Sequence, residues 1–235
     1  MNSLFDIITI YKDKLSVMFE YSSDIYTEPS VDTDTLNNLG PLQPMAGIWE
    51  GLSGEDVHPF VDGDKADTFV ERYELQPIDP QTNGPQLFYG LRYHTHIVKP
   101  GEVETFHDQV GYWLFEPDSN TVIHTLTIPR GIITMASGIT KPDSTSFHLT
   151  AIQGAETYGI CSNHFLQDAF RTVEFHITVT INPNGTWSYE EDTIIKVRGK
   201  NEPVHHTDRN TLTKIAEPTP NPQRAKDDLS VVIRT

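Results

Sequence analysis

The sequence predicts an all-β fold, an up-and-down antiparallel β-barrel of roughly ten strands preceded by an amphipathic helix. Three observations lead there. Val173, Phe175, Ile177, Val179 and Ile181 alternate with Glu174, His176, Thr178 and Thr180, the period of two that sets one strand face on a core and the other in water. Asn182-Pro183-Asn184-Gly185 then supplies turn chemistry, and Trp187, Tyr189, Glu191, Thr193, Ile195 and Val197 continue as the antiparallel partner. Similar β-rich runs recur at 45–52, 67–76, 86–98, 103–116, 120–128, 131–139, 145–153 and 203–215. Short turns join them and no helical pattern intervenes, so the sheet is expected to close on itself and remove its edges.

Ahead of the strands, Leu4, Ile7, Ile8, Tyr11, Leu15 and Met18 recur at helical spacing opposite Asp6, Lys12, Asp13 and Lys14, which predicts a helix over 3–20. Capping the barrel or packing on its wall is its plain role; a homodimer contact or a lid over a cavity are the others. Residues 22–41 are polar and look like a linker. The expected organisation is therefore a helix and linker over 1–40, a barrel domain over 41–216 and a proline-rich tail over 217–235.

Composition narrows the partners. The 33 acidic residues against 17 basic ones give a formal charge of -16, which works against nucleic acid and anionic membrane surfaces, since both are bound by clustered Lys and Arg. The single cysteine, Cys161, has no internal disulfide partner. The opening MNSLFDIITIYKDK lacks a basic start and carries Asp6 in its apolar stretch, and no apolar run approaches the roughly 18 residues of a spanning helix. These features suggest a soluble, cytoplasmic protein.

A barrel of this size has an interior that side chains or a ligand must fill. The strands from 86 to 116 are polar on both faces, with Arg92, His94 and His96 on one parity and His107 and Gln109 on another, shared with Trp113 and Phe115. The last strand reads Val204-His-His-Thr-Asp-Arg-Asn-Thr211 before Leu212. Buried polar groups need partners, so those that face inward bind one another, water or a ligand.

The segments PLQPMAGIWEG (41–51), ERYEL (71–75), FHDQVGYWLFEP (106–117), IPRGI (128–132) and HHTDRNTLTKI (205–215) occur in an order and spacing that resembles the nitrobindin-like haem-binding β-barrels, relatives in shape of the fatty-acid-binding proteins. Gly47-x-Trp49-x-Gly51 and His107-x-x-x-Gly111-Tyr112 are the most specific pieces. The resemblance covers about residues 41–216. It implies a ten-stranded barrel with haem b near its open end, an axial histidine on the last strand, nitric oxide binding, and peroxynitrite isomerase activity of the ferric form. In the family's closing segment the histidine is followed by Leu at +5 and a basic residue at +7. Counting back from Leu212 and Lys214 lands on Thr207, with His206 and His205 just before it. A one-residue shift puts His206 at the iron, whereas strict alternation gives His205 the face of Thr207. The loop Gly51–Pro59 also departs from the family's glycine-rich version by carrying Glu55, Asp56 and His58.

Each motif also has a plainer reading. HHTDRNT could be a hydrogen-bonded seam closing the barrel. His107 could line a haem pocket or simply bond across strands, and Arg130 could hold a propionate or fatty-acid head group or pair with a surface carboxylate. His94-x-His96 has a spacing that can hold a metal, although two seam or surface histidines suffice to explain it. Trp49 reads as a ring closing the barrel bottom and Cys161 as a small core residue. No phosphate loop, nucleotide fingerprint, nucleophile elbow or Cys-x-x-Cys zinc spacing is present, and no catalytic residue is assigned. Three functions stand: a haem barrel ligated by His205 or His206; a haem-free carrier of a small apolar or acidic ligand anchored by Arg92, Arg130 or Arg209; and a metal-dependent enzyme using His94 and His96.

Overall fold

The computed structural model describes residues 20–227, so the helix expected over 3–20 lies outside the described residues but for its last position. Twelve strands are formed among these: β1 (Gly47–Phe60), β2 (Gly63–Pro77), β3 (Gln81–Asn83), β4 (Gln86–Val98), β5 (Thr105–Glu116), β6 (Thr121–Ile128), β7 (Ile132–Ile139), β8 (Ser146–Gln153), β9 (Gly159–Ser162), β10 (Phe170–Ile181), β11 (Trp187–Val197) and β12 (Val204–Ala216). Short helices α1 (Thr35–Asn38), α2 (His164–Ala169) and α3 (Pro222–Asp227) flank them.

Neighbouring strands follow one another around the sheet, β12 returns to pair with β1, and β2 pairs with β4, which closes an all-β barrel of 11 strands. β3 pairs only with β4 and stays outside the ring. The extra members relative to ten are this hairpin arm and β9, a four-residue strand wedged parallel to β8 beside β7. Its Tyr158–Ser162 segment has too little alternation to read as a strand. The expected hairpin is present, with Ile181 opposite Trp187 across the Asn182–Gly185 turn.

Only the end of the stretch expected as a polar linker, with the residues just after it, forms part of the barrel's closed end. Asp34 caps α1 by accepting from the Asn37 N–H, and a 3-10 turn (Gly40–Met45) follows. Leu39, Leu42 and Met45 are fully buried in the core, and Trp49 donates its indole N–H to the Met45 carbonyl at 2.7 Å. These apolar side chains are interrupted by Gly40, Pro41 and Pro44 and follow no helical or strand period, yet they plug the barrel.

Close strand approach fixes the two most specific glycine positions. A Cβ on Gly51 would fall 2.2 Å from the Asn210 side chain, and one on Gly111 would fall 1.9 Å from the Thr125 carbonyl oxygen. The Asn210 amide can move, whereas the Thr125 backbone is pinned in the β5–β6 ladder. Gly111→Ala is therefore expected to destabilise by about 1–3 kcal/mol. A urea-unfolding midpoint equal to that of the unaltered protein would show that the strands do not approach this closely.

Candidate functional site

Inward side chains stack in layers from the plugged end to the mouth. The floor is aromatic: Trp49, Tyr73, Tyr93, Trp113 and Trp187 are buried, Tyr73 stacks on Tyr93 at 5.2 Å, and Trp113 stacks on His124 at 3.8 Å between ring centres. A hydrogen-bonded layer lies above it. Buried Glu71 accepts from the Thr95 hydroxyl at 2.6 Å, the Tyr189 hydroxyl at 2.8 Å and the Asn210 amide at 3.0 Å. Gln109 donates to the Tyr93 hydroxyl at 2.7 Å, and the same hydroxyl lies 2.9 Å from His124 Nε2.

The mouth is acidic and imidazole-rich. Asp56 Oδ1 lies 2.6 Å from His206 Nε2, and its other oxygen makes a short bond to His58 Nδ1. The β1–β12 register sets Asp56 opposite Asp208, and the β11–β12 register sets Asp208 opposite Glu191. His107 Nε2 lies 3.2 Å from Gln109 Oε1. Arg130, in the β6–β7 turn, is close enough for its charge to act on both His107 and His206.

Alternation in β12 runs unbroken against β11, so His206, Asp208, Asn210 and Leu212 face inward while His205, Thr207 and Arg209 face outward. His205 Nδ1 sits 2.9 Å from both oxygens of Asp192, and Arg209 pairs with Glu55 at 2.7 Å, all on the outer wall. His94 and His96 also lie on the outer wall, the first 3.0 Å from Asp108 and the second 3.0 Å from the Thr105 hydroxyl. His94 and Arg92 line a shallow external groove of about 560 Å³ with Glu74 and Tyr112. Of the residues singled out in the sequence, the fold thus gathers His206 and His107 at one end of the interior, with exposed Arg130 at its rim, and leaves His205, Thr207, His94 and His96 outside it.

A family profile described as the THAP4-like, heme-binding beta-barrel domain matches residues 38–214. The chain belongs to this family. Its fold is similar to the crystal structure of Rv2717c from M. tuberculosis, at a TM-score of 0.52 and 16% identity over 77% of this chain and 96% of that one. No curated protein matches the chain. This THAP4-like domain is thus a small-ligand-binding type of barrel, and no helix among its described residues is long and apolar enough to cross a membrane.

Four inward groups of the THAP4-like barrel escaped the motif reading: Glu71, His124, Glu191 and Asp208 in its mouth role. Each sits on an alternating strand at a position of core parity, which was the available signal. What they meet depends on strands far away in sequence. Burial raises the carboxyl of Glu71 above the ordinary range despite its three donors. Burial pushes Asp208 up to about 7, with Asp56 and Glu71 adding to the effect and His206 opposing it. Glu191 is raised by burial and then by Asp208 and Glu71. Asp56 goes the other way, because its bonds to His206 and His58 outweigh its burial. Burial alone would lower His206, but Asp56 and Asp208 raise it above its usual value, whereas His107 is lowered by burial and by the charges of Arg130 and His206.

Burial also depresses His124 to about 3, and its Nδ1 has no hydrogen-bond partner among the described residues. Unfolded, this imidazole takes up a proton below about 6.5, while the folded form resists until about pH 3. Its contribution is intact above 6.5 and is lost as pH falls towards 3. His124→Phe, which keeps a ring against Trp113, is therefore expected to flatten the decline of unfolding free energy between pH 6.5 and 4 relative to the unaltered protein. Parallel pH profiles for the two would contradict the buried neutral imidazole.

Proposed function

We propose that this chain binds a small ligand in the polar mouth around His206, and that the mouth takes a ligand bringing positive charge or hydrogen-bond donors rather than haem b. The observation that carries the reading is the 2.6 Å bond from His206 Nε2 to Asp56. A porphyrin iron would need this imidazole nitrogen without a carboxylate crowding it, whereas the inward nitrogen on this strand is bonded to Asp56. Asp56, Glu71, Glu191 and Asp208 then crowd the interior above the rings, where a porphyrin wants an apolar slot and its propionates would meet like charge. The residues present do not fit haem b.

An acidic carrier ligand meets the same repulsion. Arg92 and Arg209 are on the outer wall, which leaves Arg130 at the rim as the candidate anchor. Haem ligation by His206 stands as a second reading, favoured by the inward parity of that histidine and the charge of Arg130 at the same rim. It would need Asp56 to swing away, and it alone would bring in the nitric oxide and peroxynitrite chemistry implied by the family resemblance.

Titration with ferric hemin separates the two. The acidic-mouth reading expects a Soret response no larger than that of a control protein, and a stronger one in Asp56→Ala, where His206 is released. A sharp band saturating at one haem per unaltered chain, lost in His206→Ala and kept in His205→Ala, would overturn it.

A further inference from the structure

Four carboxylates stand on one rung of the sheet. Asp67 of β2 pairs with Asp56 of β1, Asp56 with Asp208 of β12, and Asp208 with Glu191 of β11. Side chains paired in this way share a face, and here it is the inner one. Like charges directly opposite each other destabilise a sheet, so three such pairs in a row call for counter-charge.

The supply is uneven along the rung. Asp67 is held by Lys65 at 2.9 Å and Lys99 at 3.1 Å. Asp56 is held by two imidazoles, those of His206 and His58, whose rings lie 6.0 Å apart. Asp208 and Glu191 are half-buried and accept no hydrogen bond among the described residues. The rung therefore ends in two carboxylates with no donor of their own, of which Asp208 lies near the inward imidazole of His206.

Ligand atoms of Asp56, His206 and Asp208 all lie within 4.8 Å of one another, close enough for small side-chain rotations to bring them onto one ion at bond lengths of about 2 Å. Asp56, His58 and Asp67 meet the same criterion, but two lysine ammonium groups already occupy Asp67 and would repel a cation. Only the first set has a carboxylate free to bind. One imidazole nitrogen with carboxylate oxygens suits a divalent first-row transition metal, such as zinc or manganese, better than calcium or magnesium, which prefer all-oxygen shells.

We propose that the barrel mouth binds one divalent transition-metal cation through Asp56, His206 and Asp208, with Glu191 beside it as a further carboxylate. The cation takes the position between His206 Nε2 and Asp56 and supplies the positive charge that the Asp208 end of the rung lacks. The proposal rests on the porphyrin-free reading of the mouth and names its ligand.

The test is calorimetric titration of the full chain, first stripped with chelator, using zinc, manganous, magnesium and calcium chlorides. Support consists of one site per chain for zinc or manganese, weakened at least tenfold by Asp208→Asn and by His206→Gln, unchanged by His205→Gln, and weak or absent for magnesium and calcium. Asp208→Asn removes a carboxylate without a donor, so its fold is expected to survive, which circular dichroism verifies. No saturable binding, or binding that both inner substitutions leave intact as outer-wall histidines would, overturns the proposal. A flat calorimetric trace with a flat hemin response removes the cation and leaves the porphyrin-free reading standing, whereas a stoichiometric Soret band removes that reading itself.

Discussion

The pairing of β12 with β1 closes the barrel, and its register decides what the interior can be. With Asp56 opposite Asp208 and Val57 opposite Thr207, the even-numbered members of the last strand point into the barrel and the odd-numbered ones face water. A slip of one residue would bring in His205, Thr207 and Arg209 instead and expel Leu212 from the plugged end. The burial of Leu212 in the core and the bond from Asn210 to Glu71 hold the register in place. The chemistry of the mouth is thus set by apolar packing more than ten ångströms away, several rungs down the same strand.

Above the aromatic floor the molecule concentrates negative charge. Two unit charges 4 Å apart repel by about 4 kcal/mol at the effective dielectric of a protein site. Hydrogen bonds from Thr95, Tyr189 and Asn210 relieve Glu71, and imidazoles relieve Asp56, but Asp208 and Glu191 are left to share protons or a cation. The same acids that disfavour a porphyrin are the ones that favour a metal ion. The barrel is of the haem-binding family type, and the inward donors at its mouth are carboxylates interleaved with the imidazoles of His58, His107 and His206.

Much of the fold was legible because alternation is local. The hairpin from Phe170 to Val197 and the closure into a barrel follow from period and turn residues alone, and β12 could be read as a strand from Val204 onward. The plug was not, because Leu39, Leu42 and Met45 lie in a stretch broken by Gly40, Pro41 and Pro44, with neither helical nor strand period. At the site, the departure of Asp56 and His58 from a glycine-rich loop was visible, and the two candidate histidines of β12 were both named. Choosing His206 over His205 needed the phase of the strand, which an uninterrupted β11–β12 ladder supplies and an isolated sequence does not. The rung from Asp67 to Glu191 joins residues 124 positions apart, and only three-dimensional register can assemble it.

The most direct measurement is an anomalous difference map, at the manganese absorption edge, from crystals of the full chain grown with manganous ion. The account predicts one strong peak inside the barrel mouth, within bonding distance of Asp56, His206 and Asp208. A mouth without a peak, or a peak confined to the outer-wall histidines, would contradict it.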